Sequence, residues 1–318
     1  MPVFRGAFPQ KEQADQLAAA EDYLQQLYSI EWAQHLFLFY DIQSLDVIQM
    51  PRVPADLAAY DNAVMFTGKA DELYRVTRNW QLTNTRYLLG VAGLLPVLNQ
   101  GIDENRGRFR IAATFKIEPK PGQDNPNHSD FPKWTAKLAT NGPCAVFEFT
   151  GALPRASLYS NWRLSTNDQA TLKDLGSKDF DPMRTVLVAS SLPAPAPAAA
   201  TAPAGTVEFK SYAPKRIVLE AKADQPSILL LNDKYDPNWK VWVDGTSAPL
   251  LRCNFIMRGV HLTPGSHAIE MRYVPPVNAL YLTIGTEILG LALLGVAIFG
   301  RPDRKTAPVF AEAELARR

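Results

Sequence analysis

The sequence is short of the residues that would place it in several large classes. It has two cysteines in 318 residues, Cys144 and Cys253. They could pair in an oxidising compartment, but a chain of this size needs no such staple and no disulfide framework follows. Its four histidines, His35, His128, His261 and His267, show no zinc spacing. An excess of one charge is missing too. Thirty-three basic residues against thirty-two acidic ones leave a net charge of +1, which offers no long-range field for gathering nucleic acid by counterion release. Nucleophile elbows, phosphate-binding glycine loops and the dinucleotide glycine fingerprint are absent, so the commonest soluble-enzyme chemistries, and any cofactor they would bring, are not indicated. Met1–Ala20 carries Gln10, Lys11, Glu12, Asp15 and Gln16 where a secretory signal needs an unbroken apolar stretch.

What is present is enough apolar material for a real core: 47% apolar residues, 10% aromatic and 20% charged, over a length that suits two compact domains. One stretch exceeds what a soluble core helix needs. Ala279–Phe299 holds a single ionisable group, Glu287, and at about 1.5 Å per residue it covers roughly 30 Å of hydrocarbon. Arg301, Arg304 and Lys305 follow it, whereas Pro275, Pro276 and Tyr281 lie at its other end. That asymmetry predicts a cytoplasmic C-terminus and an extracytoplasmic remainder. A carboxyl near mid-bilayer costs a few kcal/mol unless it is protonated or paired among helices. Glu287 therefore predicts a partner helix, and Gly285, Gly290 and Gly295 leave room for close packing, although their spacing is not that of the small-residue dimer motif. A translocated region this large, with no signal ahead of it, is expected to be the tail of a longer polytopic protein whose upstream helices thread it across.

Along the rest of the chain, Lys11–Tyr28 has helical periodicity, so residues 1–30 are read as an amphipathic docking helix. Residues 31–191 read as a mixed α+β domain. Leu36–Tyr40, Thr85–Leu89, Arg108–Glu118, Ala145–Thr150, Leu153–Leu164 and Thr185–Val188 suit strands, and Lys69–Trp80 and Asn167–Leu175 suit helices. Residues 192–205, rich in proline and alanine, predict an extended spacer. Residues 206–276 then offer seven short strands between turn residues, the pattern of a small all-β sandwich. Asp244-Gly245 is a hairpin signal, and Thr263-Pro-Gly-Ser266 suits a type II turn where a sheet of the sandwich would close. The fold class is thus α+β: a mixed α/β extracytoplasmic domain, a small all-β sandwich and one transmembrane helix at 279–299, with a cytoplasmic tail at 300–318.

Few constellations carry chemistry. Asp179-Phe-Asp181 has the spacing of a metal-nucleotide site but reads better as a turn, and Asp124–Asp130 lacks the glycine and terminal acid of a calcium loop. No metal site follows. The aromatic residues Tyr235, Trp239 and Trp242 could stack on a sugar ring. Strand alternation puts Trp239, Val241 and Val243 on a core face, and Trp242 with Lys240 and Asp244 on the other. Trp242 is accordingly the leading glycan-binding candidate, with Tyr235 and Lys240 beside it; catalytic residues are not identifiable.

Tyr235-Asp-Pro-Asn-Trp-Lys-Val-Trp-Val-Asp-Gly245, then Arg252–Pro275 and the apolar span, resembles the C-terminal module of YfhO-type bacterial membrane proteins. Weaker echoes occur at Phe39–Leu45, Asn84–Gly90 and Leu153–Leu158. The resemblance implies a polytopic protein of the bacterial cytoplasmic membrane related to C-type glycosyltransferases, which take sugar from a polyprenyl-phosphate donor through an acidic residue in an early extracytoplasmic loop. That loop has no counterpart here, so whether this chain is an enzyme is left open. The expected function is an accessory or acceptor-holding part of such a transferase acting on cell-envelope glycans. A non-enzymatic, membrane-anchored carbohydrate-binding or structural surface module is the alternative. The expected partners are the lipid bilayer, upstream transmembrane helices and a cell-envelope glycan.

Overall fold

The computed structural model describes residues 27, 37, 39–45, 52–124, 126–127, 130–193 and 204–300, and the chain divides into two compact units, 1–273 and 274–318. Three α-helices of the first unit lie wholly among the described residues: α1 (Ala55–Val64), α2 (Tyr74–Leu82) and α3 (Asp168–Leu175). α1 was not expected; four of its ten residues are alanines, with Tyr60 and Val64 as its buried anchors. α3 starts where the Asn167 side chain accepts the Ala170 N–H at 2.9 Å, an N-cap. α2 ends in a left-handed turn in which the Thr85 N–H donates to the Trp80 carbonyl at 2.8 Å and the Asn84 N–H to Gln81 at 3.1 Å, with Asn84 at φ 57°. Arginines of α2 reach the ends of its neighbours. Arg78 donates to the Leu175 and Ser177 carbonyls at 3.0 and 2.9 Å, and Arg75 to the Ala63 carbonyl at 2.6 Å. Those oxygens are the acceptors that helix C-termini leave open, at the negative end of the dipole.

The first sheet is antiparallel, in the order β1 (Tyr87–Val91), β4 (Cys144–Phe149), β2 (Phe109–Pro119) and β3 (Trp134–Leu138). Val76 of α2, Phe66 and a π-helical turn at Val97–Ile102 pack with its Phe109, Phe147 and Phe149. Leu27 is helical and buried against Phe115 and Cys144 of the same sheet; the rest of the expected 1–30 helix lies outside the described residues. The described residues of the expected strand at 36–40 form turns instead, Asp41 following at φ 56°.

The second sheet has the order β5 (Ala156–Tyr159), β10 (Ser227–Lys234), β14 (Met257–Leu262), β13 (Leu251–Cys253), β7 (Val186–Val188) and β6 (Trp162–Leu164), with only the β6–β7 pair parallel. The third runs β12 (Thr246–Ala248), β11 (Trp239–Val243), β15 (Gly265–Tyr273), β9 (Arg216–Ala223) and β8 (Gly205–Ala213). These two sheets make the sandwich. In β10 the run Ile228-Leu-Leu-Leu231 is buried throughout. Ile228 and Leu230 face the helices, while Leu229 and Leu231 face the third sheet. A strand covered on both sides has no use for alternation. β9 and β11 do alternate, because only one of their faces is covered.

The expected division into domains 31–191 and 206–276 is not what the strands make. β5, β6 and β7 precede residues 192–205, yet they share a sheet with β10, β13 and β14, which follow. Asn254 fastens the join: its side-chain oxygen accepts the Leu187 N–H at 2.9 Å and its own N–H donates to the Leu187 carbonyl at 2.8 Å. Composition marked a break in the chain, whereas burial of the apolar faces required strands from both sides of it. Residues 194–203 and 301–318 lie outside the described residues. The expected strand at 153–164 is two, β5 and β6, and Thr263–Ser266 closes no hairpin: β14 belongs to the second sheet and β15 to the third, so the chain crosses between them. Asp244-Gly245 does turn a hairpin between β11 and β12, at φ 51° and 78°. Both cysteines are free and buried, Cys144 in the first sheet and Cys253 in the second; burial raises both thiols above their ordinary value.

In the second unit, α4 (Asn278–Phe299) is 22 residues long, with no residue buried. It is long and apolar enough to cross a membrane.

Candidate functional site

The face singled out in sequence lies on the third sheet. Trp242 points away from the core, opposite Glu270 on β15, and Lys240 stands opposite Arg272. Trp242, Arg216, Glu270 and Arg272 line a shallow groove of about 440 Å³. Glu270 accepts from Arg272 at 2.7 and 2.6 Å and from Arg216 at 2.5 Å, and these guanidiniums pull its carboxyl down to about 2. The Arg272 guanidinium lies 5.2 Å from the Trp242 ring centroid, so a cation already covers part of the ring that a sugar would stack on. Lys240 donates to the Pro237 carbonyl at 3.0 Å. Tyr235, on the loop before β11, is half-buried and donates its N–H to the Ile256 carbonyl at 2.6 Å. Neither Lys240 nor Tyr235 lines the groove. Trp239 and Val241 are core residues, as the alternation predicts.

A larger site was not anticipated. Where α2 turns into β1, a cleft of about 750 Å³ has Trp80 and Tyr87 as aromatic walls and Asn84, Arg86, Arg155 and Asn232 as polar ones. The turn at Asn84 places the first of these, and β5 and β10, paired side by side, place Arg155 before one strand and Asn232 within the other. Gln43, also on the wall, accepts a hydrogen bond from Arg155. Arg155 also donates from Nε and Nη2 to Asp233, at 3.1 and 2.8 Å, and from Nη2 to the Tyr212 hydroxyl, with the Tyr212 ring centroid 4.1 Å away, so that only Nη1, the nitrogen bonded to Gln43, has a further proton to offer. Asp233 also accepts from Arg258 at 2.7 Å and from Tyr212 at 3.1 Å.

Arg258 is 3% exposed and lies 3.8 Å from the Trp239 ring centroid. Burial lowers its affinity for a proton and the Asp233 charge opposes that. Arg86, also lining the cleft, donates to Glu148 at 2.9 and 2.7 Å, and Arg110 at 2.6 and 2.5 Å holds the second oxygen of that carboxylate. Hydrogen bonds from both arginines lower the Glu148 carboxyl below its ordinary value.

Amides, hydroxyls and guanidinium groups between aromatic rings fit a polyhydroxylated ligand, and the Asn232 amide nitrogen is shielded from water without a hydrogen-bond partner. The described histidines are engaged elsewhere: His267 sits between Asp244 and the Thr263 carbonyl, and His261 packs edge-on against Trp162. Asp181 accepts the Met183 N–H at 2.9 Å beside a buried Phe180, the arrangement of a turn. Among the described residues no three His, Cys, Asp or Glu gather. Sequence did carry a trace of the cleft. The segments 39–45, 84–90 and 153–158, far apart along the chain, meet at its walls.

Glu287 lies near the midpoint of α4 and is exposed, and the Thr283 and Thr286 hydroxyls nearby donate to carbonyls of their own helix. Comparison with protein-family models, curated proteins and solved structures gives no match.

Proposed function

We propose that this chain is an extracytoplasmic, glycan-holding region of a YfhO-like membrane protein, an accessory or acceptor-holding part of a polyprenyl-phosphate-sugar-dependent glycosyltransferase of the bacterial cell envelope. The observation that supports it best is the cleft: about 750 Å³ between Trp80 and Tyr87, with Asn84, Asn232 and two arginines converging on it. Aromatic faces supply the apolar contact that sugar rings stack on, while fixed amides and guanidinium groups match hydroxyls by direction. The basic residues Arg301, Arg304 and Lys305 behind α4 support a cytoplasmic C-terminus, with the first unit on the outer side of the cytoplasmic membrane. In this reading Glu287 meets upstream transmembrane helices of the same or a neighbouring protein.

A second reading, a membrane-anchored module without catalytic association, is favoured by the Trp242 face, where the ladder from Arg216 through Glu270 to Arg272 ties strands together rather than presenting free donors. A glycan array probed with the full chain in detergent micelles tests the binding claim. Retention of at least one glycan is expected, weakened about tenfold by Asn84→Ala combined with Tyr87→Ala and unaffected by Trp242→Ala. Silence on every glycan would remove this function. Loss with Trp242→Ala alone would move the site to the sheet face.

A further inference from the structure

The charges around the cleft do not balance. Sixteen described residues line it, and among them are two arginines and no aspartate or glutamate. The carboxylates that neutralise those arginines stand behind the wall, and each is shared. Glu148 is held by Arg86 and Arg110, and Asp233 by Arg155 and Arg258. Each trio therefore carries two positive charges and one negative, leaving one surplus charge apiece. The second arginine of each trio, Arg110 or Arg258, is not on the cleft wall; Arg86 and Arg155 are. In a chain whose basic and acidic residues almost cancel, two arginines lining one cleft with an uncompensated charge behind each are a local feature rather than a property of the whole surface.

The donors that remain point to what the charge meets. Arg86 gives Nε and one terminal nitrogen to Glu148, which leaves its other terminal nitrogen, with two protons, for a ligand. The Tyr87 ring, its centroid 5.5 Å from that guanidinium, helps to hold it beside the cleft. Guanidinium groups on a wall that carries no acidic side chain match an oxyanion, and guanidinium pairs with carboxylate or phosphate in a fixed fork. Asp41, on the turn at 39–45, lines the adjacent groove with Arg155, Phe209 and Tyr212.

Building on the glycan-holding reading, we infer that the ligand of this cleft is an anionic sugar, bearing a carboxylate or a phosphate group that the cleft arginines Arg86 and Arg155 attract and hold.

Calorimetric titration of the full chain in a non-ionic detergent tests this with four probes: an oligogalacturonide, glucose 6-phosphate, a neutral oligosaccharide of matched length and inorganic phosphate. At least one of the two anionic sugars is expected to bind about tenfold or more tightly than the neutral one, with the advantage shrinking between roughly 50 and 300 mM salt. Which of the two wins identifies carboxylate or phosphate as the recognised group. Arg86→Gln, at a side chain 60% exposed, is expected to weaken that anionic sugar about tenfold and leave the neutral one unchanged. Arg110→Gln removes the same surplus charge but no donor of the cleft wall, and is expected to weaken that sugar less, about threefold at low salt. Equal affinity for neutral and anionic sugars, or equal losses from both substitutions, would overturn the inference while sparing the glycan-holding function. Binding of inorganic phosphate with no sugar of either kind would sink that function and keep the anion site. No binding of any probe would end both.

Discussion

At the scale of single residues, the most consequential group is Asp233. It draws Arg155, Arg258 and Tyr212 onto one carboxylate, and so joins residues preceding β5 with β8, β10 and β14. Strand alternation in Met257-Arg-Gly-Val-His-Leu262 would not mark Arg258 as interior, because arginine is seldom found there. It is interior because Asp233 and the Trp239 ring reach it from the next strand and the facing sheet. Asp233→Asn leaves that buried cation without its counter-charge and is expected to lower unfolding stability by about 3 kcal/mol in urea titrations; a loss too small to measure would mean the guanidinium is neutralised some other way. His267 offers a pH signature. Partial burial pushes its pKa down, but the bond to Asp244 at 2.7 Å, the Thr263 carbonyl at 2.9 Å and the Asp244 charge outweigh that and hold it above 6.5. The bond from His267 holds Asp244 below 3.8.

A raised histidine stabilises fully below its unfolded pKa and loses that contribution as pH rises through the folded one. A depressed aspartate stabilises above its unfolded pKa and loses it as pH falls. Both contributions are therefore complete between 3.8 and 6.5. The melting temperature is expected to decline on the alkaline side of that window, and His267→Gln to flatten the decline; identical pH profiles for the two proteins would refute the assignment.

At the scale of elements, legibility followed how local the cause is. α3 was readable because Asn167 caps it, and the β11–β12 hairpin because Asp244-Gly245 accommodates positive φ. α1 escaped because Ala55–Val64 is largely alanine and aspartate, with only two buried anchors. β3 escaped because Trp134–Leu138 has no buried residue to impose a period. Leu153–Leu164 merged two strands, since its break at Ser160-Asn161 carries neither proline nor glycine. α4 was the plainest element of all, being long and apolar apart from Glu287 and two threonines. On phase separation in a cloud-point detergent, the full chain is expected in the detergent phase and a variant ending at Tyr273 in the aqueous phase. Recovery of the full chain in the aqueous phase would show that something other than lipid covers the helix.

At the scale of the whole molecule, the strands of the second sheet come from both sides of residues 192–205, so neither half holds a complete core. Ile228, Leu230 and Cys253 need Tyr159, Trp162 and Val188 as neighbours. Fragments 1–193 and 204–318, produced separately, are expected to lack cooperative unfolding and to regain it when refolded together. A fragment 204–318 that unfolds alone with the midpoint of the full chain would contradict the shared core. The cleft belongs to this scale too, because its walls come from residues 37–45, 80–89, 146, 155 and 232.

By itself the sequence determined what depends on neighbours a few residues apart: the apolar helix at its carboxyl end, most strands, the capped helix and the one tight hairpin. Only tertiary structure decided which strands share a sheet, that an arginine is interior, and that two half-neutralised arginines face one cleft. The physical reason is distance along the chain. Caps, turns and alternation are set by backbone geometry within a few residues, whereas pairing and charge compensation depend on groups brought together only when the apolar faces close.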